Sequence, residues 1–287
     1  MNKAYLIATM LFFFISSIAR CSNETGSKVI YTSEDSVLFF QKMAFANNQE
    51  IKTKQEALAL VARSFIGTPY IGRTLEFGDT ELLIINLREL DCTTFVENCL
   101  ALTNTCSSEN RSFVDFQKIL EKIRYRNGIL DGYTSRLHYF TDWISDNSNK
   151  GFVVDVTQKL GGAKFDVHAN FMSTHPGYYK QLKNDSTLIP VIAEQEKKIS
   201  EKEFFFIPKE NISEMESKLE EGMIVGITTN MAGLEISHTG ILVKENGRIH
   251  LLHASSDYKK VMISEKPLAE YLAENKKQTG IMILMVK

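Results

Sequence analysis

Two apolar runs near the C-terminal end of the sequence, residues 236–243 and 249–254, are joined by a short polar link that carries Asn246 and Gly247. Asn-Gly between two strand-like runs is the strongest short-range indication of a β-hairpin, because a type I′ turn needs positive φ at both central residues. The pattern therefore predicts an antiparallel pair of strands. Since side chains alternate between the two faces of a strand, the turn also determines which residues share a face.

The predicted register brings two histidines together. Glu245 pairs with Arg248 beside the turn, and counting back along both strands places Gly240 opposite His253. His238 lies two residues from Gly240, so it shares a face with His253 and is its diagonal neighbour, about 7–8 Å away between backbones. The glycine leaves the space that contact between two imidazole rings requires. A register slip of one residue would separate the rings.

A second feature is a helix that is predicted to begin at a cysteine. Asp91 is a favourable N-cap residue, and Cys92, Phe95 and Cys99 follow it at helical spacing on one apolar stripe. The Cys92 thiol then points toward the protein body at the positive end of a helix. This position favours thiolate over thiol and offers amide donors to a developing oxyanion. For a cysteine taken alone, a buried core residue is the preferred alternative.

The cysteine and the two histidines together favour catalysis over packing. They form a set in which Cys92 is a thiolate nucleophile, His238 shuttles the proton and His253 holds the His238 ring in one tautomer. A free thiol has a pKa of about 8.5 and would be mostly protonated at neutral pH without such a neighbour. The other histidines are interpreted as packed core residues: His138, His168, His175 and His250.

Four segments resemble the NlpC superfamily, the papain-like cysteine hydrolases of the bacterial cell wall. These segments are Gly67-Thr68-Pro69-Tyr70, Leu90-Asp91-Cys92-Thr93-Thr94-Phe95-Val96, Ser237-His238-Thr239-Gly240-Ile241-Leu242-Val243 and Leu252-His253-Ala254-Ser255. Their order and spacing match the family, and four motifs together are far more specific than one. The resemblance implies Cys92 as the nucleophile, His238 as the base and His253 as the third polar residue.

The resemblance also implies a set of substrate contacts. Tyr70 would line the site near the cysteine, and Asp91 and Thr93, which flank Cys92, belong to the same motif. Two positions depart from the family pattern. Thr93 stands where serine is common, and Gly222-Met223 replaces the usual Gly-Asp before the first core strand. Neither departure falls in the triad.

The long middle of the chain, about residues 107–210, is not part of a minimal NlpC domain. It resembles the branch of the superfamily that cleaves N-acetylmuramoyl-L-alanine, whose members carry such an insertion. Arg136, Tyr139 and Trp143 lie within one eight-residue span of it. They are candidates for binding a sugar acid, because arginine forks onto carboxylates and aromatic rings offer apolar faces. A helix ion pair for Arg136 and a core position for Trp143 carry equal weight.

Apolar periodicity predicts the fold class. Helices are expected at residues 53–66, 92–106 and 112–125, and strands at residues 223–228, 236–243, 249–254 and 281–286. A helical half that feeds an antiparallel sheet predicts an α+β fold with helices against one face. The resemblance to the NlpC superfamily implies a more specific fold: a papain-like, NlpC-type antiparallel sheet that is packed on the Cys92 helix and carries a long insertion. Residues 51–287 are expected to form one catalytic domain, after a tether and first ordered segment at 22–50.

The N-terminus is typical of an export signal. A short basic start precedes the apolar run 4–18, which is too short to span a membrane comfortably and predicts a signal peptide over residues 1–21. Its end resembles a lipobox that would lipidate Cys21, although Arg20 stands where a small residue is usual. Cleavage after Ala19 is the alternative. Both imply an exported protein of the periplasm or cell envelope, attached to a membrane only if Cys21 is lipidated.

Charge and cysteine spacing exclude other classes. The net charge is −2 with both signs interspersed, so no nucleic-acid partner is predicted. Cys92, Cys99 and Cys106 lie seven residues apart on one helix, about 10 Å from neighbour to neighbour, and cannot form disulfides with one another. No His/Cys/Asp cluster has zinc-ligand spacing, so neither a metal nor another cofactor is predicted.

The sequence favours a cysteine hydrolase of peptidoglycan fragments that cleaves the amide between N-acetylmuramic acid and L-alanine. The triad alone does not select this bond, so a stem-peptide endopeptidase that cuts after D-glutamate is the first alternative. A thiol acyltransferase is a further alternative. A non-catalytic wall-binding lipoprotein is another, but the presence of both the cysteine and the base argues against it. Stem-peptide length, sugar-end preference and oligomeric state stay open.

Overall fold

The computed structural model describes residues 18–21, 29–47 and 51–287. The predicted signal peptide therefore lies outside the described residues except for its last four. The strands in chain order are β1 (Ile18–Cys21), β2 (Val29–Thr32), β3 (Leu83–Ile84), β4 (Val153–Asp155), β5 (Ala163–Phe165), β6 (Phe204–Pro208), β7 (Ile224–Thr229), β8 (Ile236–Glu245), β9 (Arg248–Ser255), β10 (Lys260–Ile263) and β11 (Gln278–Val286).

The helices begin close to where turn and capping residues predict them. In chain order they are α1 (Ser33–Asn47), α2 (Lys54–Arg63), α3 (Cys92–Cys106), α4 (Phe113–Arg124), α5 (Phe140–Asn149), α6 (Phe171–Thr174), α7 (Lys180–Asn184), α8 (Leu188–Ser200), α9 (Ile212–Met215) and α10 (Leu268–Ala273). Single 3-10 turns lie at Arg126–Gly128, Tyr133–Ser135, Pro176–Tyr178, Lys209–Asn211 and Glu216–Lys218. No helix in the described ranges is long and apolar enough to cross a membrane.

The main sheet is antiparallel throughout, which confirms the predicted α+β class. Its strands run in the order β10-β9-β8-β7-β11-β6-β5, and β4 pairs with β11 beside this path. A smaller sheet joins β1, β2 and β3, with β2 and β3 parallel. Two strands of the segment 107–210, β4 and β6, pair with β11, so this segment is built into the main sheet.

The hairpin of β8 and β9 has the register that the Asn-Gly turn predicts. Asn246 and Gly247 adopt φ values of 50° and 81°, as a type I′ turn requires. Glu245 pairs with Arg248, and the ladder continues as far as Ile241 opposite Leu252. One step further along this ladder lies Gly240, where an added Cβ would meet the His253 Cβ at 3.2 Å. The predicted juxtaposition is confirmed.

Both faces of the main sheet are buried, because helices lie against one face, as predicted, and short helices also cover the other. α3 packs on β8 and β9, on the face that carries Ile241 and Leu252. The opposite face carries Leu242 and Leu251, which share a second apolar cluster with Leu268 of α10. The short helices α9 and α10 supply this second cover. The sequence predicts both as short helices, one within residues 212–219 and one that begins after Pro267.

Candidate active site

α3 begins at Cys92, and its first turn is held by a reciprocal capping box. The Asp91 Oδ1 accepts a hydrogen bond from the Thr94 backbone amide at 2.8 Å, and the Thr94 Oγ1 accepts one from the Asp91 amide at 2.9 Å. The predicted N-cap is confirmed. Cys92 is partly exposed and occupies the first helical position, beside the orphan amides of the helix start.

The surroundings of the sulfur favour a thiol. Burial, reinforced by the neighbouring Asp91 carboxylate, raises the pKa of Cys92 to about 12. Hydrogen bonds from Thr93 and from the Thr239 backbone act in the opposite direction but are outweighed. These surroundings therefore do not favour the predicted resting thiolate. A nucleophilic role for Cys92 would require a neighbouring base to remove the thiol proton.

Cys92 and His238 line the same small cavity, which we call the Cys92 pocket. It has a volume of about 100 Å³ and is also lined by Thr93, His138 and Glu235. A cavity of this size accommodates a few non-hydrogen atoms around a reacting bond. The pocket thus brings the predicted nucleophile and the predicted base to one space.

His238 and His253 are directly hydrogen-bonded. The His238 Nε2 lies 2.6 Å from the His253 Nδ1, and the two rings are nearly perpendicular at 85°. Burial lowers the pKa of His238 to about 4 and that of His253 to about 3, so both rings are neutral at pH 7. With Nε2 engaged, Nδ1 is the nitrogen of His238 through which it can take a proton. For that, Nε2 must carry the hydrogen and the His253 Nδ1 must accept it.

Two side chains near the histidines were not predicted. The Tyr271 ring of α10 packs edge-on against His253, with ring centroids 5.7 Å apart. The Asp257 carboxylate raises the pKa of His238, against the larger effect of burial. Asp257 and Tyr271 both line a cavity of about 470 Å³ that His253 also lines, which we call the His253 cavity. Tyr271 lies in a helix of only six residues, and Asp257 lies in the turn that follows β9, four residues past His253.

Tyr70 lies beside the cysteine, as the resemblance implies. The segment 67–70 leaves the end of α2 and pairs with β10: the Gly67 amide donates to the Val261 carbonyl at 2.9 Å, and the Leu90 amide donates to the Pro69 carbonyl at 3.0 Å. This pairing connects the strand next to His253 with the approach to Cys92. Burial, followed by the charges of Cys92 and Asp91, raises the pKa of the Tyr70 hydroxyl.

Glu235 is a further buried group that lines the Cys92 pocket. Its Oε1 accepts hydrogen bonds from the Thr141 amide at 3.2 Å and from the Thr141 hydroxyl at 3.1 Å. Thr141 lies in the first turn of α5, so the carboxylate caps that helix from another element. The contact ties α5 to the start of β8, the strand that carries His238.

The structure does not place the three insertion residues at a common ligand surface. Trp143 is fully buried and stacks on Phe140 at 5.0 Å, so its alternative as a core anchor is the correct one. Tyr139 is 5% exposed, and its hydroxyl donates to the Glu196 carboxylate at 2.6 Å. The Trp143 ring has no free face for a sugar, whereas Tyr139 contributes to the lining of the Cys92 pocket. The prediction failed for Trp143 because the insertion itself buries this side chain. The sequence of the eight-residue span does not indicate which of its side chains will be buried.

Arg136 is an ion-pair residue rather than an open carboxylate receptor. Its guanidinium is bound by Glu81 at 2.6 Å and by Glu76 at 2.8 Å, and the side chain is 9% exposed. These two carboxylates occupy the guanidinium N–H donors that a substrate carboxylate would bind. Arg136 does reach a larger cavity of about 590 Å³ that Asp91 also lines. We call it the aromatic cavity, and its other lining residues include Arg73, Phe171, Tyr178, Tyr179 and Lys180.

The remaining histidines divide into two groups. His250 is buried, and its Nδ1 lies 2.8 Å from the Ser264 carbonyl, while the Nε2 of His138 lies 2.9 Å from the Tyr133 carbonyl. Both therefore have the structural role expected of them. His168 and His175 are exposed, so the expectation of core packing is wrong for these two. Both lie in the turn-rich stretch where periodicity is weakest.

Cys99 and Cys106 are free thiols, like Cys92. Cys99 is fully buried in the main core, and burial raises the pKa of its thiol. No group of three or more His, Cys, Asp or Glu side chains that could hold a metal ion occurs among the described residues.

The family model named AmiA-like, N-acetylmuramoyl-L-alanine amidase-like, matches residues 60–281. The chain belongs to this family. A crystal structure of an N-acetylmuramoyl-L-alanine amidase from Bacteroides uniformis is 39% identical, with a TM-score of 0.78 over 82% of this chain and 99% of that one. The family is one of amidase-like cell-wall hydrolases, which act on amide bonds.

Two further solved structures are similar. A Bacteroides fragilis protein with the provisional name xylanase is 41% identical, with a TM-score of 0.72 over 78% of this chain and 99% of that one. A Legionella pneumophila protein is 23% identical, with a TM-score of 0.66 over 88% of this chain and 93% of that one, and shows the shared fold alone. No curated protein matches the chain.

Proposed function

We propose that this protein is a papain-like cysteine amidase of the NlpC type, with Cys92, His238 and His253 as its catalytic triad. The observation that carries the proposal is the hydrogen bond between the two imidazoles, in a hairpin whose His238 faces the same pocket as a helix-start thiol. A nucleophile, a base and a group that orients the base are the minimum set for covalent amide hydrolysis.

The first half of the reaction forms a thioester. His238 takes the thiol proton at Nδ1 while the Cys92 sulfur attacks the carbonyl carbon of the amide. The resulting oxyanion is stabilised by backbone amides at the start of α3. The imidazolium of His238 then donates its proton to the leaving nitrogen, and the carbon–nitrogen bond breaks. His253 keeps the hydrogen on Nε2 of His238, so that Nδ1 faces the reacting atoms.

The second half regenerates the thiol. A water molecule gives a proton to His238 and attacks the thioester carbonyl. The carbon–sulfur bond breaks, the thiolate recovers the proton from His238, and the product leaves as a carboxylic acid, which then loses its proton to solvent. Acyl transfer to an amine in place of water would give a new amide, so product analysis with and without an added amine separates hydrolysis from transfer.

The bond that we propose is the amide between the lactyl group of N-acetylmuramic acid and L-alanine. Membership in an amidase-like family supports this choice, and so does the segment 107–210, which a peptide-only cleft would not require. The peptide-bond alternative, cleavage after D-glutamate, uses the same triad. Contacts to the non-reacting sugar would lower the barrier at the bond, so the enzyme should require the sugar.

The provisional name of the Bacteroides fragilis relative raises glycoside hydrolysis as another candidate. That chemistry ordinarily uses two carboxylates that flank the scissile bond. Among the described residues that line the Cys92 pocket, Glu235 is the sole carboxylate, and it is engaged in capping α5. A xylanase activity is therefore not proposed for this chain.

The test is a digestion of defined substrates, read by mass spectrometry. The same tripeptide is offered with and without its N-acetylmuramoyl group. Release of intact peptide from the sugar-bearing form alone is expected. Cleavage of the bare peptide at its D-glutamyl bond would refute the amidase in favour of the endopeptidase, and binding without any cleavage would favour a non-catalytic wall protein.

A further inference from the structure

We infer that the aromatic cavity is the subsite for the muramoyl sugar, and that Phe171 and Tyr178 form part of its contact surface. We call these two rings, together with His175, which stacks on both, the aromatic platform. The inference rests on the proposed function, because it assigns a place to the acyl half of that substrate. The platform belongs to the segment 107–210, although not to the residues that sequence spacing singled out.

The chemistry of the reaction sets the direction of the substrate. His238 must protonate the leaving L-alanine nitrogen, so the peptide lies on the histidine side of the scissile bond and the sugar lies on the opposite side. The His253 cavity is lined by His253 but not by Cys92. The aromatic cavity is lined by Asp91, the residue before the nucleophile, and by neither histidine of the triad. The acyl half of the substrate therefore extends toward the aromatic cavity.

The three rings of the platform are stacked on one another, and Tyr178 is accessible. The three ring planes are nearly parallel: Phe171 and His175 are inclined by 16°, and His175 and Tyr178 by only 3°. Their centroids lie between 4.5 and 6.1 Å apart. Tyr178 is 63% exposed, and its ring lines the aromatic cavity. An exposed aromatic ring can pack against the C–H face of a pyranose ring.

Backbone hydrogen bonds at residues 171 and 172 hold the platform in place, so it is preorganised. The amide of Phe171 donates to the Gly233 carbonyl, just before β8, at 3.2 Å. The next amide, of Met172, donates to the Tyr139 hydroxyl at 3.0 Å, and that hydroxyl donates to Glu196. Tyr139 thus positions the platform instead of touching the sugar. A rigid contact surface loses less conformational entropy when it binds a ligand.

The wall on the other side of the cavity carries hydrogen-bond donors. Lys180 joins the two walls, because its Nζ donates to the Gly78 carbonyl at 2.7 Å and pairs with Asp79 at 3.2 Å. Arg73 adopts φ of 65° and is exposed, and its charge lowers the pKa of Tyr179 against the larger effect of burial. Its N–H groups can donate to an acetamide carbonyl or to hydroxyls. At about 590 Å³, the cavity is within the range of small-molecule sites.

The test compares variants of Tyr178 by competitive inhibition. Free N-acetylmuramic acid and the bare tripeptide are used as inhibitors of N-acetylmuramoyl-tripeptide cleavage. In Tyr178→Ala, the inhibition constant of the sugar should rise about tenfold, which corresponds to 1.4 kcal/mol, while that of the peptide is unchanged. Tyr178→Phe keeps the ring and should retain the parent values. Phe40→Ala removes an equally exposed ring from α1 and is the matched control.

Three results would overturn the inference: no inhibition of the parent enzyme by the sugar, unchanged constants in Tyr178→Ala, or equal weakening of sugar and peptide. Equal weakening would mean that the platform binds peptide. Failure of the proposed function is a separate observation, because in that case the parent enzyme itself does not release peptide from the muramoyl substrate.

Discussion

Cys92 and Cys99 have the same side chain and lie on one helix, yet the structure gives them different roles. Cys92 stands at the helix start beside His238, whereas Cys99 is fully buried among core side chains. We predict that Cys92→Ala abolishes turnover without loss of stability, since its side chain is partly exposed. Cys99→Ala should retain kcat and lower the free energy of unfolding by about 1 kcal/mol, because it leaves a small cavity.

Both variants are measured by peptide release and by thermal unfolding. Full activity of Cys92→Ala would contradict the mechanism, whatever its stability. Loss of activity in a well-folded Cys99→Ala would mean that the wrong cysteine had been chosen.

The pKa values of the triad predict the pH profile. Burial lowers the pKa of His238 to about 4 and raises that of Cys92 to about 12, so a neutral imidazole and a neutral thiol coexist between these values. A base acts only when it is unprotonated, so kcat/KM should be level from about pH 6 to about pH 9 and fall as the pH decreases through about 4. Initial rates at low substrate concentration give this profile. A fall centred near the ordinary histidine value of about 6.5 would contradict the buried environment.

At the scale of elements, the β8–β9 hairpin determines how the two histidines of the proposed triad lie relative to each other. The two strands approach each other closely at Gly240. A Cβ at this position would meet the Leu252 carbonyl oxygen and the Leu251 side chain, both at 2.7 Å. The backbone oxygen cannot move aside without a shift of the strands. We predict that Gly240→Ala lowers both the melting temperature and kcat/KM, the latter at least about tenfold, because His238 and His253 are displaced relative to each other.

Gly247→Ala in the turn of the same hairpin is the matched control. Gly247 adopts φ of 81° with open space around it, so alanine adds backbone strain of about 1–2 kcal/mol but no clash. Its melting temperature should fall while kcat/KM stays at the parent value. Equal kinetics in the two variants would show that the strand contact at Gly240 does not position the histidines.

At the scale of the whole molecule, we propose that the protein is exported and anchored through Cys21. The motivation is the lipobox-like end of the N-terminal apolar run. A diacylated or triacylated cysteine would hold the enzyme at the membrane, close to the wall fragments that it cleaves. Growth of cells with a tagged fatty acid should label the protein, and Cys21→Ser should abolish the label. If the parent protein is not labelled, the alternative is favoured, in which the chain is cleaved after Ala19 and carries no lipid.

Local rules were sufficient to predict the hairpin, the helix cap and the contact between the two histidines. An Asn-Gly turn determines its register by backbone φ alone, and Asp91 and Thr94 need only each other to cap α3. Since the turn and the helix start are both local, the sequence predicted that His238 and His253 meet and that Cys92 lies at a helix end. Membership of the segment 107–210 in the main sheet was not predicted, because its strands pair with β11, more than 70 residues further along the chain.

Burial and long-range contact were decided only by the tertiary structure. Nothing in the local sequence distinguishes Trp143, which is fully buried, from Tyr178, which is exposed. The aromatic cavity is assembled from segments about 100 residues apart, joined by Lys180 and Gly78. The protonation of Cys92 also depends on the tertiary structure. A helix start favours the thiolate, but burial and the Asp91 carboxylate raise the pKa of the Cys92 thiol. Turn chemistry and periodicity act over a few residues, whereas solvent exclusion depends on every segment that packs around a side chain.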